Sequence, residues 1–287
     1  QQGSLIVLQK QCAADYKTQD QKTILQNVLP DHTTRLSRNC CGRLVIQEVL
    51  QHGSGQQVAR IARSIKGSLV ALCMHKHGSQ VVQTATLKAV QNACIEDRID
   101  FLLEIGSSLY KCATNLNGNR VVQQFIVCLP GCGRIFLHFL KGRLKDLARH
   151  RYGSHVLQRC FEEFQQLPRA WLLSELADSL VDLMQDPYGN YLIQCMLSRG
   201  TQHERSFVAS KLRGRMLQMS RHRFASNVCE TALVTSDWQT RILLVEEMIT
   251  ALPDGRVPLQ VMTKDRYAKY VVRTSLEVAE GRQKEEL

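Results

Sequence analysis

One small residue returns at a nearly fixed interval, each time inside the same short pattern. Gly42, Gly78, Gly118, Gly153, Gly189, Ala225 and Ala268 are separated by 36, 40, 35, 36, 36 and 43 residues. Three positions before each stands Asn39, His75, Asn115, His150, Asp186, His222 or Asp265. After each come two variable positions, two apolar ones, and then Gln, Glu or Arg. A damaged copy in "QQGSLIVLQK" has Gly3 as its anchor, 39 residues before Gly42. Eight copies therefore cover essentially the whole chain. A period of this length means a solenoid, because each unit buries its apolar face only by stacking on its neighbours.

The units read as helical. "RAWLLSELADSLVDLMQ", Arg169 to Gln185, carries Leu172, Leu173, Leu176, Leu180, Leu183 and Met184 at helical spacing. "FLLEIGSSLYKCA" from Phe101 and "RSFVASKLRGRMLQM" from Arg205 read in the same way, each as one helix. A short break follows, and the motif starts a second helix. Asn and Asp in the slot three before the anchor suit that start, since their side-chain oxygen accepts an orphan backbone N–H. His75, His150 and His222 share the slot and are read as helix-start residues; nothing ligand-like is paired with them. No strand-like alternation recurs with the period.

Composition narrows the functions. The net charge of +11 makes a polyanion a natural partner, whether RNA, DNA or an acidic membrane surface. No apolar stretch approaches the roughly 20 residues that span a bilayer, and no signal peptide is visible. The 11 cysteines lack both the pairing of a secreted scaffold and zinc-finger spacing, the closest being Cys40–Cys41 and Cys128/Cys132. They read as reduced thiols of the cytosol or nucleus, with no metal site. There is no HExxH, GxSxG or Walker loop, and "GCGRIF" at Gly131 is a partial glycine pattern with no strand before it. No enzyme and no cofactor is expected.

The variable positions carry the remaining information. With the residue after the anchor as position one, positions one and five lie one turn apart on one helix face, and position two lies beside them. Positions three and four are apolar and face the core, as in Val121-Val122 and Leu192-Ile193. A merely solvated face would scatter Lys and Glu over the others. The chain instead has Ser79/Gln83, Asn119/Gln123, Ser154/Gln158, Asn190/Gln194 and Ser226/Glu230 at positions one and five. Position two holds Gln80, Arg120, His155, Tyr191, Asn227 and Tyr270. Short amides or hydroxyls paired with Gln or Glu suit base edges, and planar groups suit stacking between bases.

The motifs "HKHGSQVVQ", "NLNGNRVVQ", "HRYGSHVLQ", "DPYGNYLIQ", "HRFASNVCE" and "DRYAKYVVR" resemble the second helices of Pumilio-type (PUF) repeats. The resemblance runs from Gly3 to about Glu280 and includes the longer gap before the last repeat. It implies an all-α, right-handed α-solenoid of about eight repeats, a crescent whose concave face binds single-stranded RNA antiparallel to the protein, one base per repeat. The repeats would span about 1–20 (partial), 21–54, 55–92, 93–131, 132–167, 168–203, 204–237 and 238–287. It implies a messenger RNA partner, a monomer, repression of translation or promotion of decay, and a cytoplasmic location, with nuclear or nucleolar sites open. Protein partners would meet the convex face or the loop near Pro253–Gly255, unless that loop is a plain connector.

Under the resemblance, Ser226/Glu230 suits guanine, Asn190/Gln194 and Asn119/Gln123 suit uracil, and Ser154/Gln158 and Ser79/Gln83 suit adenine. The core reads 5′-GUAUA-3′, in register with a UGUA-like element. Three repeats depart. Lys269 and Arg273 are donors only, so they can donate to base carbonyls or hold phosphate but cannot accept uracil N3–H. Arg43, Leu44 and Gln47 in the second repeat, and Ser4, Leu5 and Leu8 in the first, predict a weakly read 3′ end, and Pro30 interrupts the helix before the second motif. Both terminal caps look incomplete, as in a piece of a longer protein. Two rivals stay open: a PUF-like structural RNA-binding protein of ribosome assembly, and a protein-binding scaffold.

Overall fold

The computed structural model of the chain describes residues 32–92, 95–164 and 166–287. Among the described residues all regular structure is helical, with two short 3₁₀ segments and no strand. The anchor Gly3, with Ser4, Leu5 and Leu8, and the helix-interrupting Pro30 lie outside these residues.

Among the described residues, each repeat from Gly55 onward has three helices rather than the two expected. One repeat shows the plan: Gln202–Ser210, then the short Met216–Ser220, then the motif helix Ala225–Thr235. The segments from Phe101 and Arg169 are likewise broken. Ile95–Gly106 gives way to Leu109–Thr114, and Gln166–Leu176 to a 3₁₀ turn and Leu180–Met184. Several breaks use a left-handed glycine, at Gly67, Gly142 and Gly214 with φ of 78°, 72° and 71°, a conformation that a Cβ opposes. The backbone N–H groups freed there are claimed by a glutamate of the next repeat. Leu69 N donates to Glu104 (3.0 Å), Gly142 N to Glu175 (2.8 Å) and Gly214 N to Glu247 (2.6 Å). The apolar period runs through the break because both pieces face one core: Leu172, Leu176, Leu180, Leu183 and Met184 are all fully buried.

The chain separates into two compact units, Gln1–Lys141 and Gly142–Leu287. In the first, motif helices Gly42–His52, Gly78–Asn92 and Gly118–Cys128 pack side by side. In the second, Gly153–Glu163, Gly189–Arg199, Ala225–Thr235 and Ala268–Val278 do the same. Positions three and four of each are buried against the other helices, from Val45-Ile46 to Val271-Val272. A part-buried ion pair also ties neighbouring repeats of the second unit. Arg169 Nη2 lies 2.7 Å from Glu204 Oε2, with the guanidinium 4.8 Å above the Phe161 ring. Glu204 also closes a capping box with Thr201. Burial alone would raise the Glu204 carboxyl; the Arg169 and Thr201 hydrogen bonds hold it below its usual value.

Candidate nucleic-acid interface

The turn before each motif helix is fixed by the slot residue. Asn115 Oδ1 accepts from the N–H groups of Asn117 (2.9 Å) and Gly118 (3.0 Å). Asp186 and Asp265 do the same for Tyr188/Gly189 and Tyr267/Ala268, and Asn39 for Cys41/Gly42. His75, His150 and His222 use Nδ1 for the same two bonds, at 3.1 to 3.4 Å. An accepting Nδ1 places the proton of each imidazole on Nε2. The slot therefore acts just ahead of the helix, which begins at the anchor itself. Its carbonyl then receives the N–H of position one, as from Ser154 to His150 (3.0 Å) and from Asn119 to Asn115 (3.1 Å).

The anchor is small because the short helix passes beneath it. A Cβ on Gly153 would lie 2.5 Å from the Leu147 carbonyl oxygen, and one on Gly118 2.6 Å from that of Cys112. Alanine appears at 225 and 268, where the residue six positions earlier is a buried methionine, Met219 or Met262. Methionine is the side chain that most readily refits an altered gap.

This frame positions the variable residues. Position two is exposed in every described repeat: Leu44, Gln80, Arg120, His155, Tyr191, Asn227 and Tyr270. Position one departs from the expectation of a residue projecting beside position five. Ser79, Asn119, Ser154, Asn190 and Ser226 are all buried, Asn190 to 1% exposure, while position five is half-buried. In two repeats the pair forms one unit. Asn190 Nδ2 donates to Asp186 O (2.8 Å) and Pro187 O (3.1 Å), and its Oδ1 accepts from Gln194 Nε2 (2.9 Å). Asn119 does the same with Asn115 O, Leu116 O and Gln123. Both asparagine donors are thus spent on the backbone, and the glutamine is oriented through one of its two amide hydrogens. Where position one is serine the pair is looser. Gln83 Nε2 reaches only the Ser79 carbonyl (3.1 Å), and Ser154 Oγ and Gln158 Nε2 are buried with no protein partner. A buried donor left unmade costs about 1–3 kcal/mol, which a ligand edge can recover.

A further set of residues was not read from the sequence. Position six of the following repeat touches position five of the preceding one. Thr231 Oγ1 is 3.4 Å from Gln194 Oε1, and Thr274 Oγ1 is 3.5 Å from Glu230 Oε2. Thr84 Oγ1 receives Gln47 Nε2 at 3.2 Å. The signal was present as three threonines in one register, but the bond crosses between repeats. Glu230 is the one carboxylate in the row. Burial raises its pKa; Thr274 and Arg273 oppose this and Glu277 adds to it.

The outer repeats differ. Lys269 and Arg273 are exposed, with Nζ 5.2 Å and Cζ 5.5 Å from the Tyr270 ring centre, and Arg273 lies 3.9 Å from Glu277. Arg43 and Gln47 are bonded to each other at 3.2 Å.

Among the described residues no three His, Cys, Asp or Glu side chains come together as a metal site. None of their helices is long and apolar enough to cross a membrane. None of the nine described cysteines is in a disulfide; burial pushes Cys195 up to about 11 and Cys229 to about 12.

Comparison with known proteins identifies the repeat. The family model of the Pumilio-family RNA binding repeat matches residues 32–65, 68–85, 108–131, 143–177, 179–212 and 215–249, more than half of the chain. The chain belongs to the Pumilio (PUF) family. It is a non-enzymatic RNA-binding repeat domain of that family. Pumilio homolog 12 of Arabidopsis thaliana is 29% identical over 260 residues, 89% of this chain and 42% of that protein. A Pumilio domain-containing protein of Schizosaccharomyces pombe is 26% identical over 252 residues, 86% of this chain and 35% of that one. The chain thus spans less than half the length of these relatives. The Puf3 RNA binding domain bound to a Cox17 RNA 3′ UTR recognition sequence superposes with a TM-score of 0.80, at 27% identity over 97% of this chain and 83% of that one. PUF-8 in complex with PBE-RNA shares the fold, with a TM-score of 0.86 at 21% identity over 98% and 81% of the two chains. The PUF repeat at Asp265 lies beyond the matched residues, yet it keeps the slot bonds, the small anchor and the exposed position two of the others.

Proposed function

We propose that this PUF domain reads single-stranded messenger RNA base by base, with 5′-GUAUA-3′ as its core. In the second unit, Ser226/Glu230 takes guanine, Asn190/Gln194 uracil and Ser154/Gln158 adenine. In the first unit, Asn119/Gln123 takes uracil and Ser79/Gln83 adenine. Position two supplies the stacking layer. The observation that carries this reading is the repeated buried pair. A glutamine held by the residue one turn earlier offers one N–H and one C=O outward, which complements uracil or adenine. The carboxylate of Glu230 offers two acceptors, which suits the N1–H and N2 amine of guanine.

The RNA named with the Puf3 domain is a 3′ UTR sequence, and by analogy this chain would act on untranslated regions in the cytoplasm. It would repress translation or shorten message lifetime through recruited proteins, the turn at Pro253–Gly255 being one surface for them. That turn is ordered by the Asp254–Arg256 ion pair (2.5 Å) and by the Leu252–Arg256 backbone bond (2.8 Å).

The test is fluorescence anisotropy with a labelled RNA containing GUAUA and a second with that G changed to U. Wild type should prefer G, and Ser226→Asn with Glu230→Gln should prefer U, each by about 10-fold, the worth of one or two well-made hydrogen bonds. Equal binding of both RNAs, lost together with a slope near −0.7 per phosphate as salt rises, would favour a charge-led structural role such as ribosome assembly. Absence of binding would favour a protein scaffold.

A further inference from the structure

The two side chains that should read a base in the repeat of Gly42 are already engaged with the protein. Gln47 uses both ends of its amide. Its Oε1 accepts from Arg43 Nη1 (3.2 Å), and its Nε2 donates to Thr84 Oγ1 (3.2 Å) and lies 3.4 Å from the Gln80 carbonyl. Arg43 Nη1 also donates to Gln80 Oε1, the side chain in the stacking position of the next repeat. Arg43 Nε is buried without a partner. The guanidinium is close enough to His77 that, after burial itself, it is the largest influence lowering that imidazole's pKa. The Arg43 head group therefore lies between position five of its own repeat and position two of the next, all within the first unit. Position two of its own repeat is Leu44, exposed and without a planar face.

The inner asparagine repeats are arranged differently. Asn119 and Asn190 spend their donors on their own backbone, and each holds its glutamine through an amide oxygen rather than a guanidinium. A base there meets a prepared edge. At Arg43 a base must first break the bonds from Arg43 to Gln47 and Gln80, and then face a cation with no acceptor.

We infer that Arg43 ends the RNA site. Its guanidinium, pinned by Gln47 and Gln80, occupies the place of the base that would follow the one read by Ser79 and Gln83, and a planar guanidinium can stack on that last base as an aromatic would. The inference rests on the base-by-base reading above. It makes the recognised RNA one nucleotide shorter at its 3′ end than the count of described repeats allows.

The test uses anisotropy with RNAs ending at GUAUA and with RNAs carrying one more 3′ nucleotide, U, A, G or C. Wild type should bind all five within about 2-fold. Arg43→Asn rebuilds the Asn/Gln pair and frees Gln47, so this variant should bind the RNA extended by U at least about 5-fold more tightly than the unextended one. The G-against-U preference at the 5′ end of the same RNAs reports independently on folding and on base reading. If that preference holds and wild type gains about 5-fold or more from any added 3′ nucleotide, Arg43 does not close the slot. If it holds and Arg43→Asn gains nothing from U, the bonds of Arg43 are not what closes it. If the 5′ preference is absent in wild type, the reading and the inference fall together.

Discussion

Two repeats of the second unit, those at Asp186 and Asp265, have nearly the same frame and opposite readouts. Both have an aspartate that binds two backbone N–H groups, a tyrosine before a small anchor, an exposed tyrosine at position two and two buried apolar residues. At Asp186 the proposed base-edge pair is Asn190/Gln194, the asparagine buried and the half-buried glutamine bonded to it. At Asp265 the pair is Lys269/Arg273, exposed, with both cations beside the Tyr270 ring. A lysine cannot fill the closed place of Asn190, so it swings out and its charge finds a ring face. Frame and readout are separable: the turn and the stack of helices need the slot and the anchor, not the residues between them.

The hardest break is to force the outer readout into the inner repeat. Asn190→Lys must either bury an ammonium in a place that is 1% exposed or leave the Asp186 and Pro187 carbonyls without their donors. Either costs about 2–3 kcal/mol. The midpoint of thermal unfolding should fall by about 5–10 °C, and discrimination for uracil at that position should vanish. An unchanged midpoint in differential scanning fluorimetry would mean that the inner slot is not closed.

The reverse exchange should be tolerated and informative. Lys269→Asn with Arg273→Gln uncovers Tyr270 and rebuilds the Asp186-type pair. It should create a preference of about 10-fold for uracil immediately 5′ of the G, where wild type shows little, since one good hydrogen-bonded edge is worth about 1.4 kcal/mol. A panel of four RNAs differing at that base decides it. Equal binding of the four by the double variant would mean that the frame alone does not position a reader.

The frame itself should respond equally in both repeats. Asp186→Ala and Asp265→Ala each remove an acceptor for two N–H groups and should cost about 1 kcal/mol, or about 2–4 °C. Asparagine at either position should be almost neutral, because Asn39 and Asn115 make the same two bonds elsewhere in the chain. A loss at Asp186 without one at Asp265 would show that the last repeat holds its turn by other means.

Much of this frame was legible from the sequence, and the reasons are local. The period, the slot and the small anchor each follow from a constraint within a few residues: a backbone donor to satisfy, or a carbonyl such as Leu147 O that leaves no room for a Cβ. The broken first helix was not legible. Leu172 through Met184 keep one apolar face across the break, so periodicity alone sees a single helix. The burial of Ser154 and Asn190 was missed because polar residues were assigned to the open face, whereas position one is buried and Asn190 turns back to the carbonyls of the turn ahead of its own helix. Thr84, Thr231 and Thr274 were missed because their bonds link one repeat to the next. The engagement of Arg43 by Gln80 was missed for the same reason.

The smallest effect links the two repeats through the one between them. Glu230 is held above the ordinary glutamate value of 4.5 chiefly by burial, with Thr274 and Arg273 favouring its ionised form and Glu277 opposing it. A carboxyl raised in the fold favours the folded state when protonated, and that contribution is lost as pH rises through the folded pKa. At neutral pH the charge is therefore a slight burden, and Glu230→Gln should raise the unfolding midpoint by about 1 °C at pH 7 and leave it unchanged near pH 4. Readout runs the other way, because guanine needs the ionised carboxylate. The preference for G over U should be full at pH 7 and should decline as pH falls through a midpoint above 4.5. Arg273→Gln removes the cation that favours ionisation, so the midpoint should move to higher pH. Anisotropy of the G and U RNAs between pH 7 and pH 4.5 measures both curves. A midpoint that Arg273→Gln leaves in place would mean that the last repeat, whatever it reads, does not tune the carboxylate beside it.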